Sequence, residues 1–508
     1  IKMGDNENRK VYKARQVKNY REMVEYSCKN YAQNIAYKYK KDYTAKNVEY
    51  IEKTYEQVGK DIKAFGTGLL NLDLMGERIV VVGKNRYEWC ISYLATTCSN
   101  MVIVPIDKAL PDIEMQRLIE RSEAKAIIFD EKYLETIKKV QEKENSNLKT
   151  LICMDNIQEK GIKTFNEILE EGRNQIKNGD QKYDNIEIDE NKMSIMLFTS
   201  GTTNEPKAVM LSQANICANI SNIACWVKLY PTDVLLSFLP IHHTFECTIT
   251  FLYGFYSGSQ VAFCDGLKHI QQNLKEYKVS VFVAVPLVLE TMYKKIQKAI
   301  EEQGKTGLIK KMTKISNTLL KAKIDIRKIV FKQILDNFGG HLRVVLYGAA
   351  PMNKATIIGY NNLGISLVQG YGLTETSPVV TAETDKEKRP GSIGLALANL
   401  NLKIANPDNE GVGEITVKGP SVMLGYYKNP EETKKVLKDG WFSTGDYGYK
   451  DKDGFVYITG RKKDIIVLKN GKNVYPQEIE FLINKIPYIA ESLVYSRDKD
   501  TTDTMLCA

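Results

Sequence analysis

Apolar and polar positions alternate in blocks along the first third of the chain. Runs of β-branched and other apolar residues at 79–82, 101–106 and 126–129 are separated by helix-like stretches at 88–97 and 112–122. This spacing of strand and helix signals is typical of a parallel, doubly wound layer. The pattern therefore predicts an α/β fold class for this part of the chain.

The same alternation resumes further along the chain, between residues 234 and 369. Apolar runs are again followed by helix-like stretches, which predicts a second parallel layer. We therefore expect two α/β subdomains, at about 50–180 and 190–380.

After Pro390 the apolar runs become short, and turn residues such as those at 407–409 and 453–454 separate them. Closely spaced short strands of this kind predict a small antiparallel sheet or β-barrel over 390–460. Residues 1–460 would then form one large N-terminal domain. The pattern from 461 to 508 predicts the start of a small α+β domain.

The composition is that of an ordinary globular protein. Of 508 residues, 43% are hydrophobic and 26% charged, which argues against a disordered, collagenous or coiled-coil chain. No apolar run reaches the roughly 18–20 residues of a spanning helix, and the first 30 residues are too polar for a signal peptide. Nine scattered cysteines without a C-x-x-C pair argue against a disulfide framework or a zinc site. We expect a cytoplasmic protein.

The net charge of +9 is concentrated in one segment. Between Lys294 and Lys332 there are twelve Lys and Arg and three acidic residues, which accounts for the whole excess. Apolar residues recur among these lysines at the spacing of one helical face, at Leu308, Met312, Ile315 and Leu319. A basic amphipathic helix of this kind either lies on the inner, anionic face of a membrane or packs on its own domain. Nucleic acid is a weak alternative, because the aromatic residues that would stack on bases are missing.

The segment 199–207 is dense in hydroxyl groups and ends in a lysine. It reads Thr-Ser-Gly-Thr-Thr-Asn-Glu-Pro-Lys and follows an apolar strand at 195–198. Backbone N–H, hydroxyl and ammonium donors in one loop suit phosphate oxygens. It is not a Walker A loop, because Pro206 and Ala208 stand where that motif needs Gly and Ser or Thr. Alone, it could equally be a polar surface loop.

Two further loops follow predicted strands. The segment 369–376, Gln-Gly-Tyr-Gly-Leu-Thr-Glu-Thr, combines glycines, an aromatic ring and a carboxylate, and 348–351 reads Gly-Ala-Ala-Pro. A glutamate beside a phosphate loop supplies the kind of oxygen ligand that Mg²⁺ takes. Loops at the carboxyl ends of neighbouring parallel strands meet in one crevice, so together the three predict a nucleotide site.

Two segments near the end of the predicted small sheet add charge to this set. Residues 440–446 place Asp446 after a glycine, and 460–464 form a basic cluster. An aspartate can hold both hydroxyls of a ribose, and an arginine can bind phosphate through two parallel hydrogen bonds. The basic cluster alone would also fit a solvated linker.

In this order, T-S-G-T-T-x-x-P-K, G-A-A-P, Q-G-Y-G-L-T-E-T, G-W-F-S-T-G-D and G-R-K-K-D followed by K-N-G-K-N-V-Y-P-Q-E-I-E resemble the core motifs of the adenylate-forming superfamily. That superfamily includes acyl-CoA synthetases, luciferases and peptide-synthetase adenylation domains. The resemblance spans residues 20–490 and implies a large N-terminal domain of two α/β subdomains and a β-barrel, followed by a small mobile domain. It implies ATP-dependent activation of a carboxylate, with ATP and CoA as co-substrates and Mg²⁺ as cofactor.

The resemblance also implies roles for single residues. Thr199 and Glu375 would bind Mg²⁺, Asp446 the ribose, Arg461 the ribose and phosphates, and Lys463 would be the hinge of the small domain. Thr199, Lys207, Glu375, Arg461 and the hinge Lys463 form the implied catalytic set. The implied ATP-binding set is Thr199, Ser200, Gly201, Thr202, Thr203, Lys207, Gly348, Ala349, Ala350, Gln369, Gly370, Tyr371, Gly372, Thr374, Asp446 and Arg461. The implied CoA-binding residues are Lys463 and Gly471. Asn204 and Ala208 replace glycines that the family usually has, and we expect only a stiffer loop.

The segment 239–246, Leu-Pro-Ile-His-His-Thr-Phe-Glu, resembles the family's border of the acyl site, although a packed histidine at a helix start is the alternative. The implied acyl-binding residues are His242, His243, Phe245, Gly348 and Gly372. Together with the basic insertion, 285–293 and 338–343 look most like long-chain fatty acyl-CoA synthetases. We therefore expect activation of a medium- or long-chain fatty acid and transfer to CoA.

Two alternatives stay open. A fatty acyl-AMP ligase or acyl-carrier-protein synthetase would make the same adenylate and pass it to a carrier protein. An inactive lipid-sensing relative is the other, although the intact segment 199–207 and Glu375 argue against it. The family also has a catalytic lysine near the end of its small domain, in a segment like P-K-T-x-x-G-K, which is not found by Ala508. We therefore expect an incomplete C-terminal domain and weak or absent adenylation by residues 1–508.

Overall fold

The computed structural model describes residues 6–45, 47–199, 205–467, 473–484, 486, 488–489, 491–499 and 503–508. Its strands, in chain order, are β1 (Ile35–Lys40), β2 (Tyr50–Thr54), β3 (Arg78–Val82), β4 (Val102–Pro105), β5 (Ala126–Phe129), β6 (Thr150–Cys153), β7 (Ile162–Thr164), β8 (Met193–Thr199), β9 (Lys207–Ser212), β10 (Val234–Ser237), β11 (Gln260–Phe263), β12 (Val281–Ala284), β13 (Val344–Tyr347), β14 (Ser366–Gly372), β15 (Val379–Ala382), β16 (Leu395–Ala396), β17 (Asn401–Ala405), β18 (Gly413–Lys418), β19 (Gly425–Tyr426), β20 (Leu437–Lys438), β21 (Trp441–Lys450), β22 (Val456–Arg461), β23 (Ile466–Val467), β24 (Asn473–Val474), β25 (Tyr495–Lys499) and β26 (Asp503–Cys507).

The helices are α1 (Tyr20–Asn30), α2 (Tyr55–Leu70), α3 (Tyr87–Cys98), α4 (Asp112–Ser122), α5 (Leu134–Gln141), α6 (Phe165–Lys177), α7 (Gln213–Trp226), α8 (Tyr253–Tyr256), α9 (Ile270–Glu276), α10 (Pro286–Glu302), α11 (Thr306–Lys321), α12 (Arg327–Val330), α13 (Lys332–Leu335), α14 (Lys354–Leu363), α15 (Pro430–Val436) and α16 (Pro476–Ile483). A π-helical segment, Glu246–Leu252, leads into α8. None of the helices in the described ranges is both long and apolar enough to cross a membrane.

Two large mixed sheets carry the fold. One has eight strands in the order β19-β9-β8-β4-β3-β5-β6-β7, and the other has nine in the order β16-β15-β14-β13-β12-β10-β11-β1-β2. Most neighbours are parallel, and the helices between the strands supply the crossover connections that parallel neighbours need. This confirms the predicted doubly wound α/β fold class.

The sheets do not follow the two sequence ranges 50–180 and 190–380. Strands β8 and β9 pair with β4 in the first sheet, and β1 and β2 join β11 in the second. The strand β19, from the third part of the chain, pairs with β9. These strand pairings connect the parts of the N-terminal region through backbone hydrogen bonds.

The apolar runs of the parallel strands are buried on both faces. In β3, Ile79 and Val81 belong to a central core, whereas Val80 and Val82 belong to an outer one. Successive side chains of a strand point to opposite faces, so a strand covered on both sides must be apolar throughout. This is why the unbroken run at 79–82 signals a parallel strand.

The predicted β-barrel at 390–460 is wrong. In the described residues, β17, β18, β20, β21 and β22 form an open antiparallel sheet. Strands β20 and β22 share one edge of the long strand β21, one beside its beginning and one beside its end. A barrel needs its two edge strands to pair with each other, and no such pairing is present in this sheet.

Candidate active site

The hairpin of β8 and β9 presents the predicted phosphate loop. Thr199 is paired with Lys207 in the strand register, so the two residues lie side by side at the ends of the strands. The Thr199 hydroxyl faces the Lys207 carbonyl at 3.5 Å. Ser200, Gly201, Thr202 and Thr203 lie outside the described residues.

The Lys207 ammonium has a carboxylate partner. Its Nζ donates to Glu432 Oε2 at 2.8 Å and lies 5.1 Å from the centre of the Tyr426 ring. Glu432 belongs to α15, far from the hairpin in sequence. Nothing in the motif pattern pointed to this residue, because only the pairing of β19 with β9 brings α15 to the hairpin.

Glu375 lies in a single helical turn after β14, next to the same strands. Its Oε1 accepts a hydrogen bond of 2.9 Å from the Tyr426 hydroxyl, and its carbonyl accepts one of 2.8 Å from the N–H of Met423. Tyr426 is in β19, which is paired with β9. The chain therefore fixes Glu375 beside the strand that begins at Lys207.

The side-chain oxygens of Thr199 and Glu375 are of the kind that binds Mg²⁺. A threonine hydroxyl and a carboxylate are hard oxygen ligands, and Mg²⁺ binds through one or two such groups while phosphate and water complete its shell. The described residues hold no cluster of three or more His, Cys, Asp or Glu side chains that would form an all-protein cage. Thr199 and Glu375 therefore remain the predicted ligands of a metal that arrives with phosphates.

Two glycines allow close backbone contacts in the predicted nucleotide loops. A Cβ on Gly348 would lie 2.6 Å from the Gly370 carbonyl oxygen, and one on Gly372 would lie 1.8 Å from that of Pro378. Neither position can hold a side chain without moving the backbone. Both were predicted to border the acyl site as well. Gly348 lets the turn after β13 contact β14, and Gly372 lets the end of β14 contact the turn before β15.

The strand β14 is fixed by a buried polar network. Gln369 accepts a hydrogen bond of 2.9 Å from the Tyr347 hydroxyl, and its N–H donates to Glu383 at 3.0 Å. Burial raises the pKa of Glu383. Next to this network Ala349 has a φ of +70°, a left-handed conformation that non-glycine residues rarely adopt. Such strain clusters at ligand-binding turns, and Ala350 beside it is exposed.

Tyr371, Asp446 and Arg461 form a second cluster. The Tyr371 hydroxyl donates to Asp446 Oδ2 at 2.6 Å, and Arg461 Nε lies 3.4 Å from Asp446 Oδ1. Asp446 is buried, and burial raises its pKa, whereas Arg461 is half exposed. Three residues from separate motifs thus meet where the ribose and phosphates were predicted to bind.

The remaining nucleotide-loop residues lie beside these clusters. Gly370 is in β14, paired with Ala382, and Thr374 begins the turn that carries Glu375. Lys463 is exposed in the turn after β22. Its neighbour Lys462 donates to Glu414 at 2.9 Å. Gly471, the other predicted CoA-binding residue, lies outside the described residues.

The predicted acyl-site segment follows β10. His242 and His243 have ring centres 4.0 Å apart, and His242 Nε2 lies 3.7 Å from Asp107 Oδ2. Burial lowers the pKa of both imidazoles, that of His242 to about 4. Both rings are therefore neutral near pH 7.

A small cavity of about 10 Å³, with room for about one water molecule, lies beside His242. Its lining is mostly apolar and includes Tyr93, Pro105, Ile195, Leu197 and Ile216. Phe245 lies on the other side of the segment, where its ring approaches Gly348. The segment therefore separates an apolar cavity from the nucleotide loops.

Asn85, which belongs to none of the motifs, holds this segment. Asn85 donates to the Ser237 hydroxyl at 2.8 Å and to the Leu239 carbonyl at 2.7 Å, and accepts from the Ile241 N–H at 3.3 Å. Glu246 is fully buried and accepts from the Thr250 hydroxyl at 2.8 Å. A buried carboxyl in an apolar helix is an unusual sequence feature, and it could have drawn attention to Glu246.

Comparison with known proteins agrees with this geometry. Residues 24–427 match the family described as AMP-binding enzyme. The chain is 31% identical over 476 residues to long-chain-fatty-acid--CoA ligase 6 of Mus musculus, covering 87% of this chain and 67% of that protein. It is 29% identical over 520 residues to the long-chain-fatty-acid--[acyl-carrier-protein] ligase AEE15 of Arabidopsis thaliana, covering 88% of this chain and 71% of that protein.

The crystal structure of ATP-bound MatB from Rhodopseudomonas palustris has the same fold. It matches with a TM-score of 0.73 at 23% identity, over 95% of this chain and 87% of that one. The resemblance first recognised from five ordered motifs is thereby confirmed. By the match over most of its length, the chain belongs to the AMP-binding enzyme family.

Proposed function

We propose that this protein activates a medium- or long-chain fatty acid with ATP and transfers the acyl group to CoA. The observation that carries the proposal is that three sets of predicted site residues lie near the ends of strands. Thr199 and Lys207 meet Glu375 through Tyr426, Tyr371 meets Asp446 and Arg461, and an apolar cavity opens behind His242. The similarity to a long-chain fatty acid ligase supports the choice of acid.

The first step would join the two anionic substrates. A carboxylate oxygen of the fatty acid bonds to the α-phosphorus of ATP, the bond to the bridging oxygen breaks, and pyrophosphate leaves with the electron pair. Lys207 would bind the β- and γ-phosphates, and together with Arg461 it would offset the charge on the phosphates. Mg²⁺, held by Thr199 and Glu375, would add further positive charge at the leaving group.

The neutral state of His242 and His243 suits the acyl side of the site. A neutral imidazole can border an acyl chain at little desolvation cost, whereas a charged imidazole there would have to be desolvated. Asp446 would accept hydrogen bonds from the ribose hydroxyls while Tyr371 holds the carboxylate in place.

The second step would transfer the acyl group. The thiol sulfur of CoA attacks the acyl carbon of the adenylate, AMP leaves as the anion, and the thiol proton is released. Two steps replace one difficult condensation, because the adenylate is a better acyl donor than the free acid. Lys463, exposed after β22, is proposed as the hinge of the small domain between these steps.

The proposal is tested with acids of 4 to 20 carbons, on the protein expressed from its complete reading frame and on residues 1–508. AMP and acyl-CoA, measured by mass spectrometry, are expected for the complete protein with long acids. Adenylate that forms without CoA and is consumed only by an acyl carrier protein would favour the carrier-protein alternative. No AMP with any acid would overturn the proposal.

A second proposal concerns the basic insertion, residues 294–332. We propose that it contacts an anionic membrane, where fatty acids partition. The residues of the predicted apolar face have different surroundings in the structure. Met312 packs against a core cluster of the nine-stranded sheet, whereas Leu308 is 56% exposed. Ile324 and Ile329 are 53% and 78% exposed among the lysines. Exposed apolar side chains within a basic surface favour insertion at anionic headgroups.

Vesicles of phosphatidylcholine with and without phosphatidylglycerol test this contact. Reversal of four lysines to glutamate at 310, 311, 314 and 321 should abolish sedimentation with the anionic vesicles and leave ATP binding unchanged. The matched control reverses four exposed lysines elsewhere, at 149, 177, 386 and 452. Equal binding by both variants would show that the insertion is not the contact.

A further inference from the structure

We propose that Glu432 is a positioning residue that fixes the ammonium group of Lys207 beside the beginning of β9. The inference rests on the proposed function, in which Lys207 binds the β- and γ-phosphates of ATP. Glu432 belongs to none of the motifs that revealed the site.

The contact is short and shielded from water. Lys207 Nζ lies 2.8 Å from Glu432 Oε2, and the two side chains are only 14% and 23% exposed. Hydrogen bonds from Lys207 and, next, from Lys435 lower the pKa of Glu432 to about 2, so the carboxylate is ionised near neutral pH. Charge-assisted hydrogen bonds of this kind are stronger and more directional than exposed ion pairs.

The carboxylate is itself held in place. Glu432 lies in the first turn of α15, where its N–H donates to the side chain of Asn429 at 3.2 Å. Thr433 of the same helix accepts a hydrogen bond of 2.9 Å from the Tyr426 N–H. Because Tyr426 is in β19, which pairs with β9, the helix cannot shift without disturbing the strand that begins at Lys207.

The same arrangement links Lys207 to the predicted metal ligand. The Tyr426 ring lies under the Lys207 ammonium, and the Tyr426 hydroxyl donates to Glu375 at 2.9 Å. Lysine is a flexible point charge with three donors. A carboxylate on one side and an aromatic ring on another restrict that flexibility before ATP binds, and the remaining donors stay available to phosphate oxygens.

A positioning role predicts a selective loss. Replacement of Glu432 by Ala should weaken binding of MgATP and pyrophosphate by roughly tenfold, the scale of one charge-assisted hydrogen bond. Binding of AMP should not change, because AMP lacks the phosphates that Lys207 would contact. A merely structural defect would weaken ATP and AMP alike.

The binding experiment uses calorimetry with a non-hydrolysable ATP analogue, pyrophosphate and AMP, on protein from the complete reading frame. Glu431→Ala is the matched control, since Glu431 lies in the same turn, is mostly exposed and pairs with Lys434 instead. Glu432→Asp should recover part of the affinity. In a Lys207→Ala background the Glu432→Ala change should have no further effect.

Two results would overturn the inference. One is ATP binding by Glu432→Ala that equals or exceeds that of the unaltered protein, because the carboxylate would then compete with the phosphates. The other is an equal loss of AMP binding. Failure of the unaltered protein to bind ATP would instead refute the nucleotide part of the proposed function, so the two failures are distinguishable.

Discussion

Tyr371 donates a hydrogen bond of 2.6 Å to Asp446, a residue 75 positions further along the chain. Tyr371 is the last residue but one of β14, and Asp446 lies in the middle of the antiparallel strand β21. The bond therefore joins a large α/β sheet to the small sheet that follows it, at the place where the ribose of ATP was predicted to bind.

Asp446→Asn should weaken ATP and AMP binding to a similar extent, about tenfold or more, because a neutral amide accepts hydrogen bonds from ribose hydroxyls less strongly. Calorimetric titration with both nucleotides measures this. Asp439→Asn, an exposed change in the preceding turn, is the control. Unchanged affinity for both nucleotides in Asp446→Asn would show that the ribose binds elsewhere.

Glu375→Gln should abolish most of the adenylation rate and raise the Mg²⁺ concentration needed for half of the remaining rate. The amide keeps the hydrogen bond from Tyr426 but loses the negative charge that a hard cation needs. The rate of pyrophosphate release over a range of Mg²⁺ concentrations is the measurement, with exposed Glu410→Gln as the control. A normal Mg²⁺ dependence would contradict the role of Glu375 in metal binding.

His242→Ala should change KM for the fatty acid more than KM for ATP. The ring borders the apolar cavity, and its removal changes the shape of that cavity without altering the nucleotide loops. Because burial lowers the pKa of His242 to about 4, its contribution should also be constant between pH 6 and 8. His341→Ala removes an exposed histidine and is the control. A KM for the acid that is the same in His242→Ala and in the unaltered protein would argue against an acyl site beside His242.

Glu246→Gln should reduce the change of the free energy of unfolding with pH. Burial raises the pKa of Glu246 to about 8, against about 4.3 in an unfolded chain. Between these values the folded protein holds a proton that the unfolded chain has lost. The free energy of unfolding therefore falls as pH rises through this window, by about 1.4 kcal/mol per pH unit, and levels off above it.

The difference in unfolding free energy between Glu246→Gln and the unaltered protein should therefore shift in favour of the variant as pH rises from 5 to 8. Denaturant titration at each pH measures it. The difference is compared because His242 and His243 titrate in both proteins. Exposed Glu301→Gln should show a constant difference, and a constant difference for Glu246→Gln would mean that its carboxyl is ionised in the folded state.

The parallel strands could be predicted from the sequence because both of their faces are buried. A run such as 79–82 must be apolar at every position, and its short length, its β-branched residues and the helix-like stretches beside it distinguish it from a buried helix. The sequence predicts a barrel at 390–460 where the structure has an open sheet, because short antiparallel strands give the same local pattern whether or not their edges meet.

The motif residues of the site were also visible in the sequence, since phosphate, ribose and metal each demand particular side chains and glycines at short spacing. Asn85, Tyr426 and Glu432 were not visible. Their partners lie far away in the chain, and their own surroundings resemble ordinary turns and helix starts.

The sequence by itself determined the elements, the motif residues and the family, because each depends on neighbours within a few positions. Only the tertiary structure decided which strands share a sheet and which groups surround Lys207, Glu375 and Asp446. Strand pairing and ion pairs join residues that are distant in the chain, and the geometry of those contacts follows from packing the whole domain rather than from any local pattern.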